Sequence, residues 1–212
     1  MPLSVINELD YLCLGICEVA GLNRFVASHE FDSWIEDQLA AARTEVLTPE
    51  WESRREAVRG LLRRGGFKPS GRSKPAQEYL LRCLYDGNFP RINPAVDCLN
   101  AISVRIGLPI SMLDKSRFPD ALRVRVGRRE EKYAFNSVGQ ELDLNGLITV
   151  CGGLDAAEPL GSPVKDSMAG KITETVSEIV CILYGPNEGI PQEWMDDWAS
   201  ELKQSIERFA IQ

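Results

Sequence analysis

A chain of 212 residues with 44% hydrophobic and 26% charged residues is long enough to bury a sizeable core and too apolar for extended disorder. The absence of any apolar run of about 18 residues excludes a predicted membrane-spanning helix. The start MPLSVINELD lacks the basic-then-apolar pattern of a secretory signal, so a cytoplasmic location is the expectation. The net charge of −7 argues against nucleic acid only as an average. Residues 1–51 hold two basic side chains against nine acidic ones, whereas residues 52–82 hold nine against three. Such segregation can build a local phosphate-binding surface within an acidic total, or simply a solvated helix face.

In chain order, the apolar run YLCLGICEVA (11–20) predicts a buried strand ending at Gly21. A helical pattern follows from 31 to about 46, with Asp32 or Ser33 as its cap. His29, the chain's single histidine, is expected as an exposed neighbour of that cap. Thr48-Pro49 restarts a helix that runs to Gly65-Gly66. It carries Arg55, Arg59, Arg63 and Arg64, and the turn-rich connector 67–77 adds Lys68, Arg72 and Lys74. These seven cations are the candidates for phosphate contacts, and they are the ones that the resemblance described below implies for tRNA. A short helix from 78 to 85 precedes the break at Asp86-Gly87-Asn88, and a longer one spans 94 to 106 between the cap Asn93 and the stop Gly107.

The second half reads as strands at 122–126, 132–135, 146–151 and 175–183, with 127–131 as the hairpin between the first two. A closing helix covers 192–209, its Trp194 and Trp198 serving either the core or a docking face. The fold class is α+β: layered sheets packed with helices. The expected organisation is a single domain over 1–187, with a helical, basic insertion at about 31–75 and a C-terminal helix, 188–212, packed on it.

Scattered cysteines without a Cys-x-x-Cys pair read as reduced core thiols, and neither a metal nor another cofactor is expected. With one histidine, a Ser-His-Asp or Cys-His mechanism finds no support. The chemistry-bearing stretch is RINPAVDCLNAISVRIGLPISMLD (91–114), which sets Asn93, Asp97 and Asn100 on one face of an otherwise apolar helix. Asp97 is either a scaffold acceptor for backbone amides of the following segment, GLPISMLD (107–114), which reads as a loop, or part of a polar pocket. Glu130 or Glu131 of GRREEK either binds a ligand's α-ammonium or side-chain hydroxyl group or pairs with a neighbouring cation. The segment SPVKDSMAGKITET (162–175) gathers Lys165, Asp166, Ser167, Lys171, Thr173 and Thr175, fit for sugar or phosphate contacts or for a plain surface loop.

The run Asn93-x-x-Val96-Asp97-x-x-Asn100, followed by Gly107-x-Pro109 and Asp114, resembles the B3/B4 domain of the phenylalanyl-tRNA synthetase beta chain. The helix Ala76 with Glu78 to Arg82 and the strand Leu122 to Gly127 are similar to free-standing proteins built from that domain alone. The likeness runs from about residue 5 to 185. It implies a fold shared with the synthetase and with tRNA-lysidine synthetase, and hydrolysis of a wrong amino acid from the aminoacylated tRNA 3′ end. It implies Asn93, Asp97 and Asn100 as catalytic, and Asp114, Arg125, Glu130, Lys165, Lys171 and Thr173 as substrate-binding. The partner would be tRNA, with neither membrane nor DNA involved. The competing reading is a non-catalytic tRNA-binding or amino-acid-binding module.

Overall fold

The computed structural model describes residues 3–211, the side chain of Arg72 excepted. Its organising element is β9 (Glu178–Pro186), which pairs antiparallel with β2 (Leu12–Ala20) on one side and β3 (Ile110–Asp114) on the other. Strand periodicity sends alternate side chains to opposite faces. Ile179, Cys181 and Leu183 join one core, whereas Val180, Ile182 and Tyr184 join another. This accounts for a strand sequence that is apolar at nearly every position.

On the first face lie the helices α1 (His29–Glu45), α3 (Ala76–Tyr85), α4 (Pro94–Ile106) and α5 (Gln192–Ala210). The second face meets a four-stranded sheet of β1 (Val5–Asn7), β4 (Leu122–Val126), β7 (Ile148–Gly152) and β8 (Glu158–Gly161), in the order β1-β4-β7-β8. The two-stranded hairpin of β5 (Lys132–Ala134) and β6 (Glu141–Asp143) adds Tyr133 and Leu142 to that second core. The helix α2 (Pro49–Arg63) contributes to both cores, Val58 to one and Leu61 and Leu62 to the other. The architecture is therefore helices on sheet on sheet, the expected α+β class.

Local signals explain the helix ends. Thr48 Oγ1 accepts from Trp51 N–H at 3.3 Å, and Asn93 Oδ1 accepts from Val96 N–H at 3.0 Å, with proline at the first helical position each time. Gly107 closes α4 at φ 74°, against the buried Trp51 ring. Trp51 Nε1 donates to Val104 O at 2.8 Å, tying α2 to the end of α4.

Three expectations are corrected. The cap of α1 is Ser28, whose Oγ accepts from Phe31 N–H at 3.1 Å, and neither Asp32 nor Ser33. The helix starts earlier because Phe31 and Ile35, both fully buried, need a preceding turn to aim them inward. Residues 127–131 do not join β4 and β5 as a hairpin. β4 pairs with β1 in parallel and β7 antiparallel, since Leu122 and Val124 share the second core with Ile148 and Val150. The segment after Pro109, read as loop, is the edge strand β3. All six cysteines are buried and free, with Cys17 and Cys181 opposite one another in the register.

α5 approaches the sheet closely at Gly15, where a Cβ would stand 2.7 Å from Met195 O of α5. Backbone on both sides leaves nothing flexible to yield. Gly15→Ala is expected to destabilise the protein by about 1–3 kcal/mol through overpacking, read as a lowered urea midpoint with an unchanged m-value.

Candidate functional site

A cavity of about 400 Å³ opens between the first half of α4, the edge strand β3 and the loop 162–172. That size suits a small organic ligand. Its walls are apolar: Ile92, Val96, Leu99, Ile110, Met112 and Ile172. Its polar fittings are Asn93, Asn100, Ser162, Lys165, Asp166 and Lys171. The periodicities explain the convergence. Val96, Leu99 and Asn100 fall on one face of α4, and Ile110 and Met112 alternate on the helix-facing side of β3.

Each polar group has a distinct state. The Asn100 amide makes no hydrogen bond among the described residues, and Asn93 commits only its Oδ1, to the helix cap. Lys171 Nζ donates to Phe135 O at 2.6 Å, and Lys165 Nζ stands 3.8 Å above the Phe135 ring. Asp166 is the one carboxylate lining this cavity among the described residues. Its Oδ1 accepts from Ser111 Oγ at 2.6 Å and from Ser162 N–H at 3.3 Å, and its Oδ2 accepts from Met112 N–H at 3.3 Å. Tyr184 OH in turn donates to Ser111 Oγ at 2.8 Å. Desolvation pushes the Asp166 carboxyl up to about 6, against those hydrogen bonds and the nearby Lys171 charge. A carboxyl raised in this way favours the fold fully below the ordinary carboxylate range. That contribution is lost as pH rises through about 6.

The structure thus brings together Asn93, Asn100, Lys165 and Lys171 and leaves the other candidate site residues elsewhere. Asp97 is 2% exposed and turned away from the cavity lining. Its carboxylate accepts from Ile92 N–H at 2.7 Å and from Arg91 Nε at 2.9 Å, which makes it the clasp of the α4 entry. Asp114 caps the turn after β3 through Ser116 N–H at 2.9 Å. Arg125 is buried in a two-bond pair with Glu131, at 2.7 and 2.8 Å. Glu130 sits exposed on the adjoining turn at φ 71°, and Thr173 exchanges a 2.8 Å hydrogen bond with Thr175 at the surface.

The basic stretch is divided. Arg59 makes a two-bond pair with the buried Glu78, Arg55 pairs with Glu52, and Arg64 pairs with Glu188 while covering the Tyr11 ring. Arg63, Lys68 and Lys74 are exposed and carry no ion pair among the described residues. The Arg72 side chain lies outside the described residues. Trp194 and Trp198 are half-buried against the first core, under Arg54 and Arg105 respectively. Among the described residues no group of histidine, cysteine and acidic side chains could hold a metal, and no helix is long and apolar enough to cross a membrane.

Asp166 is the residue that the sequence placed in the right loop without distinguishing it from its neighbours. Its partner Ser111 is 55 positions away, and no local pattern couples the two.

The B3/4 domain family model matches residues 68–188, which include α3, α4, β3 and the whole cavity loop. The chain belongs to the B3/4 domain family. The elements up to α2 precede the matched B3/4 region, and α5 follows it. Among solved structures, an N-terminal fragment of the phenylalanyl-tRNA synthetase beta-subunit from Pyrococcus horikoshii is similar, at 11% identity and a TM-score of 0.41. The match covers 95% of this chain and 49% of that one, so the chain spans about half the length of the fragment. Among curated proteins none matches this B3/4 chain.

The clasp at Asp97 has a measurable weight. Asp97→Asn keeps one acceptor and removes the ion pair, and is expected to cost about 1–3 kcal/mol. Asp97→Ala strands the Ile92 amide and the Arg91 guanidinium and should cost about 3–5 kcal/mol. Thermal melts of the two variants decide this. Unchanged melting would return Asp97 to the pocket reading.

Proposed function

We propose that the chain is a tRNA-associated hydrolase that deacylates a mischarged aminoacyl-tRNA. The observation that carries this reading is a cavity in the B3/4 region whose polar lining includes amide donors not used by the fold. An aminoacyl ester is already activated, so its hydrolysis needs a placed water and donors for the developing oxyanion rather than a metal or an imidazole. Asn100, with Asn93 Nδ2 beside it, fits the donor role. The apolar walls suit an amino-acid side chain. Lys165 and Lys171 at the loop suit the terminal ribose and phosphate.

For the RNA body, the exposed Arg63, Lys68 and Lys74 are the cations that the fold leaves available, whereas Arg59 is consumed by Glu78. Phosphate contacts of this kind are weak singly and salt-sensitive together. Replacing the three with alanine should reduce the slope of log K against log salt for tRNA by about 2–3. Arg59→Ala should instead lower stability, because it abandons the buried Glu78 carboxylate.

A second reading, an amino-acid-binding or tRNA-binding module without turnover, is favoured by one observation. Asp166, the carboxylate of the cavity, already accepts three hydrogen bonds, which ill suits a general base. A deacylation screen separates the readings. The protein is mixed with a panel of correctly and wrongly charged tRNAs, and ester loss is followed against buffer. Loss of one mischarged species with its cognate spared is the expected result. In that reaction Asn100→Ala should lower the rate by about a hundredfold, with melting nearly unchanged because Asn100 anchors nothing. No ester loss at high protein concentration would leave the binding module standing.

A further inference from the structure

The carboxylate that lines the cavity is held in an unusual manner for a surface-loop acid. The chain Tyr184 OH to Ser111 Oγ to Asp166 Oδ1 starts between the two sheets and ends at the cavity. Ser111 is 1% exposed and Tyr184 fully buried, so their hydroxyl protons have no solvent to turn to. With Tyr184 donating into Ser111, the Ser111 proton goes to Asp166 Oδ1 at 2.6 Å, the nearer acceptor, rather than to Ser162 O at 3.4 Å. Ser162 N–H and Met112 N–H fix the rest of the carboxylate. A carboxylate offers about four acceptor positions. Three are filled by these donors, two of them on Oδ1, and the position left lies on Oδ2. The cavity walls are apolar, and Ser162, Lys165, Lys171 and the uncommitted amides of Asn93 and Asn100 complete the lining.

We infer that Asp166 Oδ2 is a clamp for the free α-ammonium of an apolar amino-acid ester, so that the cavity accepts ligands with an unblocked amino group and rejects N-acylated ones. The inference rests on the reading of the cavity as an aminoacyl pocket, and names the chemistry by which that pocket would select. An ammonium ion brings N–H donors and a positive charge to an acceptor in a partly desolvated place, where a charge-assisted bond is strongest. An N-acyl group removes the charge and adds bulk at the same point. Ser111 and Tyr184 are positioning residues: they favour the ionised, correctly turned carboxylate without touching the ligand.

Among the described residues, the charged and titratable groups facing Asp166 are Lys165 and Lys171 of its own loop, Tyr133 of β5, and Tyr184 and Cys181 of β9. Burial pushes both tyrosines up, and the hydrogen bond with Cys17 together with burial pushes the Cys181 thiol up, so all three stay protonated in the mildly acidic to neutral range. Asp166 is therefore the group whose ionisation sets the pH response. Affinity for an ammonium ligand rises as the carboxyl ionises and falls as pH drops through about 6.

The test uses the whole chain, with L-leucinamide and L-phenylalaninamide as probes and their N-acetyl derivatives as controls, by calorimetry. The free amides should bind at least tenfold more tightly than the blocked ones, the difference disappearing in Asp166→Asn. Binding of the free amides to the unaltered protein should weaken roughly tenfold from pH 7 to pH 5, as the carboxyl with a value of about 6 takes up its proton. Tyr184→Phe should move that midpoint upward, which a merely structural tyrosine would not do. Equal binding of free and blocked amides overturns the inference, as does binding indifferent to pH or absent altogether. The pH series needs no variant, so a failure of Asp166→Asn to fold does not stop the test. Amide binding without any deacylation would sink the hydrolase reading and keep the clamp. Deacylation that ignores N-acetylation would do the reverse.

Discussion

β9 has no solvent face, and the rest of the fold answers to that constraint. A strand buried on both sides must be covered twice, once by helices and once by a second sheet, and both of its edges must be paired. β2 and β3 supply the pairing, and their own alternation continues the division of the two cores. Each side chain contributes about 1.5–3 kcal/mol when removed from water. A one-residue slip would exchange the two sets and put Tyr184 where Cys181 and Leu183 pack. The register is thus fixed by the shapes of two different cores. β3, the edge that borders the cavity, inherits its rigidity from β9.

That rigidity bears on the site because the cavity is assembled from distant pieces. α4 gives the amides, β3 gives apolar side chains on one face and Ser111 on the other, and the loop 162–172 gives the charges. Ser111 belongs to the second core while its neighbours Ile110 and Met112 line the cavity. The hydrogen bond from Ser111 to Asp166 therefore runs around the edge of the sheet. It links what happens between the sheets to what happens at the ligand's end. An unpaired hydroxyl at Tyr184 or Ser111 would cost about 1–3 kcal/mol. The link is part of how the interior satisfies itself as well as how the loop is held.

The legible parts of the sequence were those governed by local signals. Thr48-Pro49, Asn93-Pro94 and Gly107 announce helix ends because the cap and the first turn are neighbours in the chain, and the structure places them where the pattern does. Ser28 was missed because Asp32 and Ser33 are equally good caps in isolation; only the burial of Phe31 and Ile35 decides between them. β3 was hidden behind Pro109, and the pairing of β4 with β7 rather than β5 was hidden by distance. In each case the deciding partner lies far along the chain. The same limit governs the site. The stretch 91–114 pointed to the helix face on which Asn93 and Asn100 line the cavity. It could not show that Asp97 meets Arg91 or that Asp166 would take the place at the cavity.

The two acids show how burial alone fails to mark function. Asp97 is the more deeply buried residue, yet its partners are near in sequence and saturate it: Ile92 N–H on one oxygen and Arg91 on the other. Arg91 also reaches Asp32 at 2.7 Å and covers the Phe31 ring, so the same guanidinium ties the start of α1 to the start of α4. A full charge is present to balance the Asp97 carboxylate, and the arrangement is a fastening. Asp166 is met mostly by neutral donors and is left with one acceptor position beside an apolar wall. A carboxylate in that state is stabilised further by any cation that can enter. The difference between fastening and binding site is therefore a bonded countercharge: Arg91 donates directly to Asp97, whereas Lys171 stands near Asp166 but spends its hydrogen bond on Phe135 O, and a cavity of suitable size opens beside the Asp166 carboxylate.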